Sequence, residues 1–547
     1  MLSISIFASV FTTDDGNKPH CKPRATQDCV LSDIEFTPAK VHKILKNLKP
    51  KSSCGPDSLP SLFMQNLASV ISEPLAFIFD ASFRSGVLPD CWLSAVVTPV
   101  FKKGATSSPN NCRPISLTCV SCRVMERIIN LDLIQYLQAH KLITTAQHGF
   151  LRKHSTCTNL LESVHDWSIG LNSKHSVDVV YIDFQKAFDT VSHPKLLLKL
   201  SSYGISGNLL CWLTSFLAGR TQVVRVSNVI SSNIPITSGV PQGSVLGPTL
   251  FMLFINDITD VLSGLNVTAK LFADDLKLYS LLDLGLSADL CTACNLIAKW
   301  AKTWQMRLSL EKCLCLRITN KLHHVADVNN CYVLDDANLN WCNNTKDLGV
   351  LVDSKLSFNK HIDCIVHKAH VRARLILRCF CSRDKNILLR AFTTYVRPLV
   401  EYCSSVWSPH TVTNINKLES VQRRFTKKIT GLSKFPYSVR LKKLNLETLE
   451  SRRLKCDLVT LYKLTAGSFS SDCHDFVQFS MYSSTRGHDL KIQKQCAAVD
   501  AFKYNFPNRI IGVWNKLPDC VVKASTCFIF RRLVDGLDLQ KYCLVCD

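Results

Sequence analysis

Apolar residues recur at helical spacing over 39–49 (AKVHKILKNLK), where Pro50 breaks the run, and again over 61–85. Lys51–Pro60 (KSSCGPDSLP) between them is a Gly/Pro turn segment. Val96–Phe101 is a β-branched run that predicts a strand, and Lys102–Arg113 predicts a loop or hairpin tip. Amphipathic helices are predicted over 117–140 and 155–173. Val177–Ile182 (VDVVYI) has the pattern of a buried strand and runs directly into Asp183. Helices follow over 194–203 and 207–218, then a strand at Thr221–Val226. Ser238–Gly247 (SGVPQGSVLG) is a Gly/Pro loop that opens an apolar helix over 248–260. Ala269–Leu271 and Leu276–Tyr279 flank an acidic pair in a strand–turn–strand pattern. Residues 361–547 read as mainly helical, and the polar stretch 13–30 reads as a linker.

Composition sharpens this picture. The chain has 547 residues, 46% hydrophobic and 20% charged, which suits a folded chain of several domains. Its net charge of +22 points to a polyanionic partner. That charge is uneven: residues 1–360 carry 34 basic and 28 acidic side chains, and residues 361–547 carry 31 and 15. The basic excess therefore sits in the C-terminal third. No apolar run approaches the length of a membrane span, so no membrane partner is expected. No secretory signal is visible, and the 26 cysteines are expected to be mostly reduced. The expectation is an intracellular protein of nucleus and cytoplasm, not a secreted one. The CxxC pairs Cys119/Cys122, Cys291/Cys294 and Cys543/Cys546 lack a matched second pair for zinc. Cys313/Cys315 and Cys379/Cys381 look like strand or helix interior.

Two acidic features carry chemistry. Asp183 ends an apolar strand in YIDFQKAFD, and Asp274 and Asp275 sit at a hairpin turn in LFADDLKLY. Carboxylates at the ends of hydrophobic strands are costly unless a metal or a cation pairs with them. Three that converge can hold two Mg²⁺ ions for in-line phosphoryl transfer. Taken singly, an Asp after a strand is ordinarily a turn former or helix cap. The two features, with a PQG loop between them, are more specific.

The ordered motifs resemble the reverse transcriptases of non-LTR (LINE-type) retrotransposons, most closely the jockey-like group. They are FASVFT (Phe7–Thr12), KNLKPKSSCGPD (Lys46–Asp57), PVFKKG (Pro99–Gly104), CRPISLT (Cys112–Thr118), QHGF (Gln147–Phe150), HST (His154–Thr156), YIDFQKAFD (Tyr181–Asp189), SGVPQGSVLGP (Ser238–Pro248), FADD (Phe272–Asp275) and DLGVLVD (Asp347–Asp353). RPLVEYCSSVW (Arg397–Trp407), ESVQRRFTKKI (Glu419–Ile429), Arg440–Leu441 and VWNKLP (Val513–Pro518) resemble that family's C-terminal extension.

The resemblance implies an α+β right-hand polymerase with an antiparallel palm sheet and a mainly helical basic extension. It divides the chain into a linker remnant (1–35), fingers and palm (36–355), and helical thumb with basic extension (356–547). Asp183, Asp274 and Asp275 would be the catalytic acids. With the Phe184 carbonyl they would ligate two Mg²⁺ ions, for which Mn²⁺ could substitute. Phe188 would be the steric gate against a ribose 2′-OH. Gln242 would contact the incoming nucleotide, and Gly243 would allow close backbone approach. Lys102, Lys103 and Arg113 would grip the triphosphate. Lys312 would protonate the leaving pyrophosphate. Leu348–Gly349 resembles the primer-grip turn. Arg423, Arg424, Lys427 and Lys428 would track a phosphate backbone, against the plain alternative of a solvated helix face. Trp407 and Trp514 are expected as core anchors.

The implied function is RNA-directed DNA polymerisation from a DNA 3′-OH by target-primed reverse transcription. Its partners would be an RNA template, a DNA primer or target, and dNTPs. Full-length elements carry an endonuclease before the polymerase; no such domain is read here, so nicking is expected to be supplied elsewhere. The alternative is a catalytically inactive nucleic-acid-binding remnant. An RNA-dependent RNA polymerase is disfavoured by the aromatic Phe188.

Overall fold

The computed structural model describes residues 9–545, except 27, 103, 106–107, 109–110, 228, 284, 322–330, 468, 470–472 and 481–486. Lys103 and Phe7 therefore lie outside the described residues, as does Cys546 of the last CxxC pair.

The first strands are β1 (Ser94–Phe101), β2 (Cys112–Leu117) and β3 (Ser176–Ile182). β4 (Thr221–Val226), β5 (Val229–Ile230) and β6 (Ile234–Pro235) follow, then β7 (Thr268–Phe272), β8 (Asp275–Leu282) and β9 (Leu314–Ile318). Five short strands close the series: β10 (Val333–Leu334), β11 (Ala337–Asn338), β12 (Asn340–Cys342), β13 (Asn344–Asp347) and β14 (Val350–Asp353). They form a mixed α/β architecture. One sheet runs β2-β1-β4-β5, with β6 also on β4, and its β1–β4 pair is parallel. The central sheet runs β12-β9-β3-β8-β7. Its β3–β8, β3–β9 and β7–β8 pairs are antiparallel. β10–β11 and β13–β14 are separate hairpins.

β3 is buried on both faces, and its period of two decides where each side chain goes. Val177 and Val179 pack with helix Thr156–Asn172 and the C-terminal helices. Val180 and Ile182 pack with helices Gly247–Ile255 and Ala288–Thr303. Helix Gly247–Ile255 is apolar all round and buried throughout its hydrophobic length, as such a sequence requires. The C-terminal helices, including Asn359–Cys379, Val412–Lys427, Leu449–Thr465 and Phe506–Trp514, share one core with the underside of the sheet. Trp407 and Trp514 are buried in it, as core anchors should be.

Several sequence expectations need correction. The helix expected over 61–85 divides at Leu67 into Ser61–Asn66 and Ala68–Ser85. The helix expected over 248–260 gives way after Ile255 to a tighter 3₁₀ segment, Asn256–Leu262. Cys379 and Cys381 are exposed at a helix end, whereas Cys313 and Cys315 are buried. The polar stretch 13–30 is not a loose linker in its contacts. The Gln305 amide donates to the Thr13 carbonyl at 3.1 Å, and the buried Lys195 ammonium bonds Asp15 at 3.0 Å. Arg24 N donates to Ser202 O at 2.8 Å. The polar groups that looked like solvated linker instead meet partners on the folded body. Among the described residues no helix is long and apolar enough to cross a membrane.

Candidate active site

Strand register assembles the acidic centre. Ile182 of β3 lies opposite Leu276 of β8, so Asp183 and Asp275 occupy the next step at the same sheet edge. β7 and β8 are joined by a two-residue turn, Ala273–Asp274, closed by the Phe272–Asp275 pair. Three carboxylates thus come from two neighbouring strands. Asp183 bonds Lys312 Nζ through Oδ1 at 2.7 Å. Burial raises the Asp274 carboxyl, and the Asp183 charge adds to this; Lys102 and Arg113 pull in the other direction. At the mouth of the site, loss of solvent and the charges of Asp274, Asp183 and Asp347 push Asp275 up to about 6. The site is therefore overloaded with negative charge.

Arg113 does not sit on a loop tip: it lies within β2, opposite Val100 of β1. Lys102 follows β1 directly, and its N–H bonds Asn111 O at 2.7 Å. Both positive charges lower the Asp274 carboxyl against the effect of burial.

The PQG loop docks against β2 and against the segment after β3. Ser116 N donates to Gln242 O at 2.8 Å, and Val240 N donates to Phe188 O at 2.8 Å. Gly243 has φ +127°, and a Cβ there would meet Ser116 O at 2.3 Å. Only glycine fits. The Gln242 amide does not stand free: its Nε2 donates to Asp189 Oδ1 at 2.8 Å. Burial raises that Asp189 carboxyl to about 6. The half-buried Phe188 ring stacks on Phe251 at 4.2 Å and meets the Phe150 ring edge-on at 6.1 Å. Phe184 is buried against Trp300, and among the described residues no hydrogen bond ends on its carbonyl.

Leu348 and Gly349 form the turn between β13 and β14, with φ +42° and +97°. Tyr402 from the C-terminal region donates its hydroxyl to Leu348 O at 2.8 Å. Further along, Arg424, Lys427 and Lys428 are exposed at the end of helix Val412–Lys427. Arg423 differs, for its guanidinium lies over the Tyr437 ring at 5.0 Å. The His370 ring of helix Asn359–Cys379 meets the Ser420 hydroxyl of helix Val412–Lys427 at 3.2 Å, and burial with the nearby Arg424 and Arg374 charges holds its pKa low.

Residues 100–351 match the family described as "Reverse transcriptase (RNA-dependent DNA polymerase)". This chain carries a reverse transcriptase domain. It is 28% identical over 404 residues to the RNA-directed DNA polymerase from mobile element jockey of Drosophila melanogaster, a match covering 72% of this chain and 43% of that protein. It is also 28% identical over 451 residues to the probable RNA-directed DNA polymerase from transposon BS of the same organism, covering 77% and 48%. A type-1 retrotransposable element R2 Pol polyprotein of Popillia japonica is 31% identical over 221 residues, covering 38% and 30%. The chain spans less than half the length of these relatives.

Several residues that shape this candidate site are not singled out by the sequence. Lys277 of β8 is buried and pairs with the buried Asp347 at 2.7 Å, beside the Tyr181 hydroxyl. A lysine inside the apolar run LKLY was the available signal. Lys270 pairs with Glu162, which also meets His148 Nε2 at 3.2 Å. Burial raises the Glu162 carboxyl, but His148 and Lys270 outweigh it and hold it at about 2. Gln147 is fully buried in the QHGF motif and bonds the Ala273 backbone.

Reverse transcriptases as a family use divalent metal ions. Among the described residues no three His, Cys, Asp or Glu side chains converge closely enough to hold a metal ion. The donor chemistry does suit a hard dication: oxygens only, on carboxylates of which burial and then mutual charge raise two. Asp183, Asp274, Asp275 and the Phe184 carbonyl are the groups that would hold it.

Proposed function

We propose that the chain is an RNA-directed DNA polymerase of a non-LTR retrotransposon, extending a DNA 3′-OH along an RNA template. The observation that supports this most is the strand register that brings Asp183 and the Asp274–Asp275 pair to the ends of adjacent strands. In right-hand terms the central sheet is the palm, β1–β2 belongs to the fingers, and the helices after 356 are thumb and basic extension. Two Mg²⁺ ions bound there would activate the attacking hydroxyl and stabilise the leaving pyrophosphate. Lys102 and Arg113 bind the triphosphate oxygens. Asp189 orients the Gln242 amide beside the nucleotide, and Phe188, braced by Phe251, excludes a 2′-OH. Lys312, which pairs with Asp183, delivers a proton to pyrophosphate in this reading. The Leu348–Gly349 turn supports the primer end. Arg424, Lys427 and Lys428 track the nucleic-acid backbone, so each removal lowers the salt slope of binding by about one.

The test is dNTP incorporation on a primed RNA template, wild type beside Asp274→Ala. Mg²⁺-dependent extension that disappears in the variant is expected. A folded wild-type chain that binds primed RNA without extending it identifies a non-catalytic remnant.

A further inference from the structure

The catalytic turn is built against local preference. Ala273 has φ +59°, a left-handed conformation that a residue with a Cβ rarely adopts. It directly precedes Asp274, one of the three acids. Backbone strain at such a point persists only where the surroundings over-determine it.

The bonds to Ala273 itself come from one buried side chain. Segment 146–149 lies beside β7 and extends the sheet by a single parallel bridge, Gln147–Leu271. Leu271 N donates to Ala146 O at 2.8 Å, and His148 N donates to Leu271 O at 2.9 Å. Gln147 then turns inward, with no exposed surface. Its Oε1 accepts from Ala273 N at 3.0 Å and from Gly149 N at 2.7 Å. One amide oxygen therefore grips both its own loop and the turn that carries Asp274. The approach is close: a Cβ on Gly149 would meet Ala273 N at 2.5 Å. Phe150, next along, is also left-handed at φ +62°. Two strained segments face each other across a single side chain.

We infer that Gln147 is a positioning residue, whose buried amide holds the Ala273–Asp274 turn so that Asp274 and Asp275 can ligate a divalent cation together with Asp183. This rests on the metal-dependent polymerase reading above. Gln147 touches neither nucleotide nor metal. It acts through the backbone of the turn, as partners behind metal ligands do.

Mn²⁺ binding to the full chain, followed by electron paramagnetic resonance, tests this without requiring turnover. Gln147→Met keeps the side chain's bulk and removes both acceptor bonds, together with the Nε2 donation to the Ala273 carbonyl at 3.5 Å. It is expected to weaken Mn²⁺ binding about 10–100-fold. Gly149→Ala leaves the amide intact but forces the loop off the turn, so it too must weaken Mn²⁺ binding. In extension assays the Mg²⁺ midpoint of Gln147→Met rises while affinity for primed RNA is unchanged. A purely structural role would not give that split. Folded Gln147→Met or Gly149→Ala protein that binds Mn²⁺ within twofold of wild type overturns the inference. A wild-type chain that binds no Mn²⁺ overturns the metal reading itself and this inference with it. Wild-type binding that Asp274→Ala abolishes, but Gln147→Met does not, overturns the positioning role alone.

Discussion

Two hairpin turns of equal length flank the site, and they are held in opposite ways. The β13–β14 turn places Leu348 and Gly349 at positive φ, the pattern of a type I′ hairpin, with glycine at one of the two positions. The β7–β8 turn has positive φ at Ala273 and not at Asp274, where a hairpin of that kind ordinarily starts with glycine. The first turn is nearly satisfied by its own sequence and needs only the Tyr402 hydroxyl on its carbonyl. The second is strained and is held by Gln147. Between them runs the buried Lys277–Asp347 pair, which ties β8 to the residue before Leu348. The turn that leads into the acidic pair depends on tertiary support, and the Leu348–Gly349 turn largely supports itself.

The largest contrast is in turnover. Asp274→Asn keeps the size of the side chain and removes its charge. Extension should fall by about a thousandfold or more, the rate equivalent of the several kcal/mol a bound dication contributes. Tyr402→Phe removes one hydrogen bond from the other turn and should cost less than about tenfold. Comparable losses in single-turnover assays would erase the distinction between the two hairpins.

The tie between them comes next. Lys277→Met leaves Asp347 buried without its partner and should destabilise the fold by about 3–5 kcal/mol in urea titrations. Lys277→Met with Asp347→Leu removes both charges and should recover most of that loss. If the double variant is as unstable as the single one, the pair is not what joins the strands.

Swapping residue types at the turns gives smaller effects. Gly349→Ala places a Cβ at φ +97°, 3.0 Å from the Tyr402 ring, and should cost about 1–2 kcal/mol. Ala273→Gly relieves a similar strain but adds about 0.4–1 kcal/mol of unfolded-chain entropy, so its net change should be under about 1 kcal/mol. Equal effects in thermal melts would mean that the turns are not held differently.

The smallest effects are in pH dependence. Glu162, held at about 2, favours the folded state above the ordinary carboxylate range, and that contribution is lost as pH falls from about 4.5 toward 2. Asp189, raised to about 6, acts in the opposite sense: folding binds its proton more tightly, so stability falls as pH rises from about 4 to 6. Glu162→Gln should flatten the acid limb of a stability–pH curve. Asp189→Asn should remove the loss between pH 4 and 6.

Much of the site was legible because its pieces are local. The apolar run into Asp183, the FADD turn and the strand at Thr221–Val226 are periodic signals that the fold keeps in place. The glycine at 243 is demanded by a backbone approach that the PQG motif already suggested. Arg113 was misplaced onto a loop because the polar residues before it hid the start of β2. The stretch 13–30 looked solvated because polar groups read alike whether they meet water or a distant partner.

The sequence by itself determined which residue types stand at the strand ends and turns, since strand and helix periods and left-handed positions are set within a few residues. Only the tertiary structure decided which groups meet: Gln242 with Asp189 across 53 residues, Lys277 with Asp347 across 70, and Gln147 with Ala273 across 126. These pairings depend on which elements pack side by side, and each is strong because packing has removed the water that would compete for the same groups.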